Sequence, residues 1–156
     1  MLLYLVRHAT AQDRALGVPD FSRHLIEKGL KQTEKLAAFC LKQQLKPQLL
    51  LTSPVLRAEQ TANLLQQLAL WPAVQNQAWL TLETDAQQQM AAVMALVKQG
   101  IESVCCVGHE PDISALLALL LGTEASHFHI KKASITALDL GTDQATLLWS
   151  LPVALL

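Results

Sequence analysis

The sequence predicts an α/β fold: a single three-layer domain over residues 1–156, in which helices flank a largely parallel central sheet. Short apolar runs of strand length alternate with longer segments whose apolar residues recur at helical spacing. This alternation favours parallel strands joined by helical crossovers. The chain has 156 residues, of which 51% are hydrophobic and 16% are charged, enough to bury one hydrophobic core.

The first half of the chain is predicted to form two strands and two helices. In chain order these elements are a strand at 2–6, an irregular loop at 9–26, a helix at 27–43 and a strand at 49–52. Ser53 then stands in a position typical of an N-cap, and Pro54 suits the first turn of a second helix. That helix is predicted to run to about residue 70, where Trp71-Pro72 ends it.

The second half begins with a weaker extended stretch at 79–82. Thr84 follows and has, with Gln87, the spacing of a capping box. The helix after it ends at Gly100, and its predicted inner stripe is Met90, Val93, Met94 and Val97. The remaining predicted elements are a strand at 103–107, a helix at 112–121 ended by Gly122, and strands at 133–140 and 145–151 across a turn at 141–143. The last two strands predict an antiparallel edge at the C-terminal end of the sheet.

Composition and charge exclude several classes of function. The net charge is −1, so no global basic field attracts nucleic acid or anionic lipid, and we predict neither as a partner. The three cysteines include no pair with zinc-site spacing, which indicates buried, reduced thiols. The longest apolar stretch, at 113–121, is too short to span a bilayer. The N-terminal residues do not resemble a signal peptide, and these features together predict a cytoplasmic protein.

Two short polar groups near the C-terminus have alternative interpretations. His127 and His129 flank Phe128 and could supply two metal ligands, but no third ligand is evident in the sequence. We therefore interpret them as surface residues and predict no metal. Lys131-Lys132 either contact an acidic or phosphorylated partner or form an ordinary solvated pair.

Polar residues suited to anion binding follow three of the predicted strands. The first strand ends in Arg7-His8, the second in Ser53-Pro54 with Arg57 one turn further, and the third in Gly108-His109. In open α/β sheets, ligands bind outside the carboxyl ends of the strands. If these strands are neighbours, two arginines and two histidines share one crevice, where guanidinium groups match the oxygens of a phosphate.

These stretches resemble the histidine phosphatase (phosphoglycerate-mutase-like) superfamily over essentially the whole chain. LVRHAT is similar to its RHG signature, TSPVLRAEQTA to its second signature, and VGHEPDIS to the motif of its second histidine. The short length, the spacing and the C-terminal KKASITALDL are most similar to the phosphohistidine phosphatases of the SixA branch.

The resemblance implies a role for each matching residue. His8 would be the nucleophile that becomes a phosphohistidine, and Arg7 and Arg57 would bind the phosphoryl oxygens. His109 would be the second histidine of the phosphate pocket. Beside these four residues we predict Ser53 and Glu110 as further substrate-binding residues. The implied activity is a phosphatase without metal or other cofactor that acts on a phosphorylated protein, for example a histidine-phosphotransfer domain.

Two departures from the family pattern bear on this interpretation. Ala9 stands where the family usually has glycine, and its methyl group could crowd a sharply turned backbone. No residue matches the glutamate that mutase-like members use as a general acid; Glu83, Glu110 and Asp112 are candidates without the surrounding motif. A site without a strong acid favours phosphoramidates, because imidazole is a far better leaving group than an alkoxide.

Three alternative functions stay open at the level of the sequence. The crevice could serve a general small-molecule phosphomonoesterase or a mutase, although the missing acid motif and the short chain argue against a mutase. It could also bind phosphoproteins without turnover, but a pure binding module has no need of a nucleophilic histidine. A metal-binding protein is the least supported alternative.

Overall fold

The computed structural model of the protein describes residues 1–14, 17–141 and 144–156, and it confirms the predicted α/β class. Its strands are β1 (Leu2–Arg7), β2 (Leu49–Thr52), β3 (Val74–Asn76), β4 (Ser103–Gly108), β5 (Ile135–Leu140) and β6 (Ala145–Leu151). Its α-helices are α1 (Glu27–Lys42), α2 (Leu56–Leu68), α3 (Ala86–Lys98) and α4 (Asp112–Leu121). Short 3₁₀ turns occur at Asp20–Ser22, Ala78–Leu80, Ala125–His127 and Val153–Leu155.

In the described residues the six strands form one mostly parallel sheet in the order β3-β2-β4-β1-β5-β6. β3, β2, β4 and β1 run in the same direction, while β5 is antiparallel to both of its neighbours. The predicted antiparallel pairing at the C-terminal end of the sheet is therefore confirmed. The turn predicted at 141–143 includes residues 142 and 143, which lie outside the described residues.

The hydrophobic core fills both faces of the sheet and produces the three predicted layers. Neighbouring residues of a strand point to opposite faces, so Cys105 packs into the cluster beneath α1 and α2 while Cys106 packs beneath α3 and α4. Together with Cys40, these cysteines are buried free thiols, as the sequence predicts. In the part of the chain that the structure describes, no helix is long and apolar enough to cross a membrane.

The start of α2 differs from the sequence prediction. Ser53 is not its N-cap, because the helix begins at Leu56 and Val55 is the capping residue. The Ser53 hydroxyl accepts a hydrogen bond from the Val55 N–H at 3.2 Å, which makes a tight local turn between strand and helix. The helix also ends earlier than predicted, at Leu68.

The segment between α2 and α3 was only partly predicted by its sequence pattern. The extended stretch expected at 79–82 is largely a 3₁₀ turn, and the strand lies earlier, at Val74–Asn76. β3 pairs only with β2 and is mostly exposed, so it has no buried apolar run by which to recognise it. The N-cap of α3 is Asp85 instead of Thr84, since the Asp85 carboxylate accepts from the Gln87 N–H at 2.9 Å.

The inner face of α3 was predicted with one error. Val93 is fully buried, and Met90 and Val97 pack against the core, but Met94 is 38% exposed. Gln89 takes an inward position instead, where its side-chain amide donates to the Trp79 carbonyl at 3.2 Å. A polar residue that satisfies its hydrogen bonds inside the core does not follow the apolar periodicity.

Candidate active site

The carboxyl ends of β1, β4 and β2 lie side by side because the three strands are parallel neighbours. Arg7 pairs with Gly108 across β1 and β4, and Thr52 pairs with Val107 across β2 and β4. We call the depression at this edge the strand-end crevice. It is lined by Arg7, His8, Arg57, His109, Glu110, Ala11, Asp13, Arg14, Arg23, Leu82 and Lys132. The topology thus brings together the four residues that the sequence analysis predicts to be catalytic.

His8 is buried and held in one orientation. Its Nδ1 lies 2.8 Å from the Ala9 carbonyl oxygen, which can only accept, so Nδ1 carries the proton. Nε2 then carries the lone pair of the ring, which accepts a hydrogen bond from the Arg57 Nε–H at 3.2 Å. Burial, with smaller effects from the His109, Arg57 and Arg7 charges, lowers the pKa of His8 to about 3. The ring is therefore neutral at pH 7 and offers Nε2 as a nucleophile.

Arg57 is 1% exposed, and its guanidinium group is fixed by Asp20. One terminal nitrogen donates to the Asp20 carbonyl at 2.8 Å, and the other donates to the Asp20 carboxylate at 3.0 Å. A guanidinium has five N–H donors. Three are used by Asp20 and His8, which leaves one on each terminal nitrogen for a phosphoryl oxygen.

Arg7 has a buried donor without a partner. One terminal nitrogen donates to the Ile130 carbonyl at 2.7 Å, while Nε finds no acceptor in the described part of the chain. Burial lowers the pKa of Arg7, an effect that the Glu110 charge opposes. Because a buried donor without an acceptor costs free energy, this nitrogen is a ready ligand for an anion.

His109 completes the group. Its ring centroid lies 5.1 Å from that of His8, and its Nε2 lies 2.8 Å from the Ser53 hydroxyl. This hydroxyl accepts from the Val55 N–H, and its own proton has no other acceptor among the described residues, so it donates to Nε2. The proton of neutral His109 then resides on Nδ1, which is buried and without a partner among the described residues. Burial, followed by the Arg57 charge, lowers the pKa of His109 to about 3.

Asp20 is a component of the site that sequence reasoning missed. Arg23, the arginine of a stretch that resembles the family's entry to the first helix, was not assigned to the site. Arg23 is 8% exposed and lines the strand-end crevice, and its Nε donates to the Asp20 carboxylate at 3.0 Å. Burial opposes ionisation of Asp20, but the hydrogen bonds and charges of Arg57 and then Arg23 lower its pKa. Asp20 thus pairs with three arginines that line the crevice, Arg14, Arg23 and Arg57. The available signal was the spacing of Asp20 and Arg23, which are three residues apart in a segment predicted to be an irregular loop.

Two further residues of the string SPVLRAEQTA, Gln60 and Thr61, hold the loop after β1 in place. Thr61 accepts from the Ala9 N–H at 3.1 Å and donates to the Arg57 carbonyl, so it ties the loop after β1 to α2. Gln60 accepts from the Leu25 N–H at 2.7 Å and anchors the far end of the same loop. Ala9 is fully buried and does not adopt a positive φ, so its methyl group fits where the family usually has glycine.

The predicted acid candidates are engaged in hydrogen bonds within the protein or lie off the crevice. Both carboxylate oxygens of Glu110 accept from Ser114, one from its N–H and one from its hydroxyl. Asp112 is buried and accepts from the Glu83 N–H at 3.1 Å, and burial raises its pKa. Glu83 is exposed and lines a neighbouring depression beside Glu110. Glu110 alone of the three lines the strand-end crevice.

Electrostatically the strand-end crevice is an anion site. The guanidinium groups of Arg7, Arg23 and Arg57 converge on two neutral imidazoles, and Asp20 neutralises only part of their charge. A tetrahedral dianion such as phosphate offers the oxygens that these donors lack. No cluster of three or more His, Cys, Asp and Glu side chains suited to a metal ion is found among residues 1–14, 17–141 and 144–156.

Comparison with known proteins supports this chemistry. The chain is 33% identical over 142 residues to an uncharacterised protein of Picosynechococcus sp., covering 90% of this chain and 86% of that protein. The protein histidine phosphatase SixA, solved with tungstate, superposes with a TM-score of 0.90 at 25% identity, covering 99% of this chain and 98% of SixA. A phosphoserine phosphatase from Entamoeba histolytica shares the fold, with a TM-score of 0.78 and 16% identity, covering 97% of each chain.

The family profile described as histidine phosphatase superfamily (branch 1) matches residues 3–90, which include β1, the loop after it, and α2 with Arg57. This range is more than half of the 156 residues. The chain belongs to the histidine phosphatase superfamily.

Proposed function

We propose that this protein is a phosphatase that removes the phosphoryl group from protein-borne phosphohistidine through a phosphohistidine intermediate on His8. Membership of the superfamily supports a phosphatase, and hence a hydrolase, activity. The likeness to SixA supports phosphohistidine as the substrate. The observation that carries the proposal is the fixed state of His8, whose Nδ1–H donates to the Ala9 carbonyl while Nε2 keeps its lone pair.

In the first step, Nε2 of His8 attacks the phosphorus atom. The substrate P–N bond breaks, and its electron pair stays on the substrate imidazole, which takes up one proton. The phosphoryl group carries its charge on three equatorial oxygens during this transfer. Arg7, Arg57 and the Nδ1–H of His109 supply donors for these oxygens, and all three belong to groups already oriented by the protein.

The second step returns His8 to its starting state. Because Nδ1 keeps its proton on the Ala9 carbonyl, the phosphorylated ring is an imidazolium, which leaves as neutral imidazole. Water attacks the phosphorus atom, the P–Nε2 bond breaks, phosphate is released and one proton of the water returns to solvent. The two steps together consume one water and no net proton.

The hydrogen bonds of Glu110, the acid candidate that lines the crevice, favour substrates with a P–N bond over those with a P–O bond. In the first step the leaving group is an imidazole whose other ring nitrogen takes up a proton near neutral pH, so the transfer needs little help from a strong acid. An alkyl phosphate instead expels an alkoxide, which needs a proton donor. Glu110 lines the crevice, but both of its oxygens accept hydrogen bonds from Ser114. The second candidate, a small-molecule phosphomonoesterase, rests on the fold shared with the phosphoserine phosphatase.

The test is phosphate release from a phosphohistidine peptide, with EDTA present, by wild type and by His8→Ala. We expect wild type to release phosphate and His8→Ala to lose at least about a thousandfold in rate, because no covalent route remains. His127→Ala is the matched control, since this histidine is exposed and follows α4, away from the strand-end crevice.

A phosphoserine peptide of the same sequence distinguishes the two candidates. Preference for the phosphohistidine peptide supports the proposal. Comparable kcat/KM values for both peptides favour the phosphomonoesterase. Binding of the phosphohistidine peptide without phosphate release by folded wild type would assign the crevice to recognition without turnover.

A further inference from the structure

A groove beside the strand-end crevice carries a concentration of positive charge. It runs between the N-terminal half of α1 and the loop after residue 129, and we call it the lysine groove. It is lined by Lys28, Lys131 and Lys132, and it meets the strand-end crevice at Arg7. Lys132 lines both depressions, so the two are continuous. Further along α1, Lys35 extends the same side of the helix.

The lysines of the lysine groove form no ion pair with a carboxylate in the described part of the chain. All three, Lys28, Lys131 and Lys132, are exposed. Lys31 differs, because it pairs with Glu27 at 2.7 Å. Partial burial, followed by the charges of Arg7 and Arg23, lowers the pKa of Lys132, and the Asp13 charge opposes this shift only in part. Because the whole chain has a net charge of −1, this positive charge is a local feature of the groove and does not reflect a basic protein overall.

The opposite side of the strand-end crevice has a different character. The depression there is lined by Glu83 and Glu110 together with the apolar side chains of Val18 and Phe21. Phe21 is 59% exposed. The rim around His8 is therefore polarised. The lysine groove carries three lysines without a paired carboxylate in the described residues, whereas the second depression carries Glu83 and Glu110, and its one cation, Arg14, pairs with Asp20 at 3.5 Å. A small phosphate compound does not span both sides, whereas a protein surface does.

We propose that the lysine groove docks an acidic segment of the phosphorylated partner, next to the phosphohistidine whose phosphoryl group enters the crevice. This inference rests on the proposed function and adds the chemistry of the partner. Lys28 and Lys35 are two turns apart on α1, a span of about 10 Å. That span matches carboxylates two turns apart on a partner helix, or about three residues of extended chain. Complementary charge of this kind raises the association rate and selects the partner.

The experiment compares two phosphohistidine peptides of equal length, one with Asp and Glu flanking the phosphohistidine and the other with Lys and Arg. Each kcat/KM is normalised to that of phosphoramidate measured on the same variant. For wild type at low salt we expect the acidic peptide to exceed the basic peptide at least about tenfold, and the ratio to shrink as ionic strength rises. In Lys28→Glu/Lys131→Glu, we expect the ratio to fall at least about tenfold.

Lys46→Glu/Lys98→Glu is the matched control. Lys46 precedes β2, and Lys98 ends α3 shortly before β4. Both are exposed and lie near the amino ends of the parallel strands, opposite the strand-end crevice. The control is expected to keep the wild-type ratio. Equal normalised rates for the two peptides in wild type, or the same loss of ratio in the control variant, would overturn the proposal.

Peptide binding separates this inference from the proposed function. If wild type releases phosphate from neither peptide nor from phosphoramidate, the proposed function fails. Fluorescence anisotropy of the same labelled peptides on the His8→Ala protein then tests the groove by itself. Tighter binding of the acidic peptide that is lost in Lys28→Glu/Lys131→Glu supports the groove, and equal binding of both peptides refutes it.

Discussion

A single hydroxyl decides which nitrogen of His109 carries the proton. The Ser53 hydroxyl accepts from the Val55 N–H and lies 2.8 Å from His109 Nε2, where its own proton completes the hydrogen bond. Nδ1 of His109 is thereby left as a donor with no partner among the described residues. Ser53 was predicted to bind substrate; in the structure its hydroxyl contacts Val55 and His109, and it is not among the residues that line the strand-end crevice. We infer that it is a positioning residue that acts through His109.

Replacing Ser53 with alanine is expected to remove the hydrogen bond that fixes the tautomer of His109. In Ser53→Ala, neutral His109 can protonate on either nitrogen, and the fraction with Nδ1–H falls. We expect kcat/KM for a phosphohistidine peptide to fall about tenfold, equivalent to about 1.4 kcal/mol, which is typical of one lost hydrogen bond. The ¹⁵N chemical shifts of the His109 ring report the tautomer directly and should move toward Nε2–H in the variant.

Ser134→Ala is the matched control for this substitution. Ser134 is a second buried serine, 2% exposed, whose hydroxyl has no hydrogen-bond partner in the described residues. Its replacement is expected to leave both kcat/KM and the His109 shifts at the wild-type values. A His109 spectrum that is unchanged in Ser53→Ala would contradict the positioning role, whatever the activity.

At the scale of elements, the approach of α1 to the loop after β1 depends on Gly29. A Cβ at this position would overlap the Thr10 carbonyl oxygen. That oxygen accepts from the Ile26 N–H at 3.2 Å just before the helix begins, so it cannot move freely. The Thr10 N–H and hydroxyl both donate to Gln32, one turn further along α1. The helix therefore clamps the backbone two residues after His8.

Gly29→Ala should destabilise the protein although alanine favours helices. The gain in helix propensity is about 1 kcal/mol, whereas overpacking costs about 1–3 kcal/mol. Because the overlap is with a backbone oxygen, we expect a cost at the upper end of that range and a net loss of about 2 kcal/mol. Urea unfolding at pH 7 measures the net loss. Gly108→Ala is the control, because a Cβ there meets its nearest neighbour, Ile113, at an ordinary 3.8 Å. Equal stability of Gly29→Ala and wild type would show that α1 can shift without cost.

Elements with a strong local signal were predicted almost to the residue. β2 and α4 have the predicted bounds, since one is a short apolar run after a proline and the other ends at a glycine in the left-handed region. β3 and the turn at Ala78–Leu80 were not predicted, because an edge strand and a 3₁₀ turn carry little periodicity. The apolar periodicity also does not reveal the hydrogen bond between Arg57 and Asp20, which are 37 residues apart in the chain.

At the scale of the whole molecule, the two site histidines make the stability depend on pH. In the unfolded chain a histidine has a pKa near 6.5, whereas burial lowers the pKa of His8 and of His109 to about 3 in the folded protein. Above pH 6.5 both states are neutral at these positions, so the histidines add no pH dependence. Between pH 6.5 and 3 the unfolded chain binds protons that the folded protein does not, so the free energy of unfolding falls with falling pH.

We therefore expect wild type to lose stability between pH 7 and pH 5, by about 2 kcal/mol for each of the two histidines. His109→Gln removes one of them and should lose about 2 kcal/mol less over the same interval, while the exposed His127→Gln should follow wild type. Urea unfolding at the two pH values measures the difference. Tungstate should restore part of the stability lost at pH 5 in wild type, because a dianion between the arginines favours the imidazolium form of His109. Identical pH dependence in wild type and His109→Gln would mean that His109 is protonated as easily in the folded protein as in the unfolded chain. The crevice would then carry an imidazolium at pH 5 even without a bound anion.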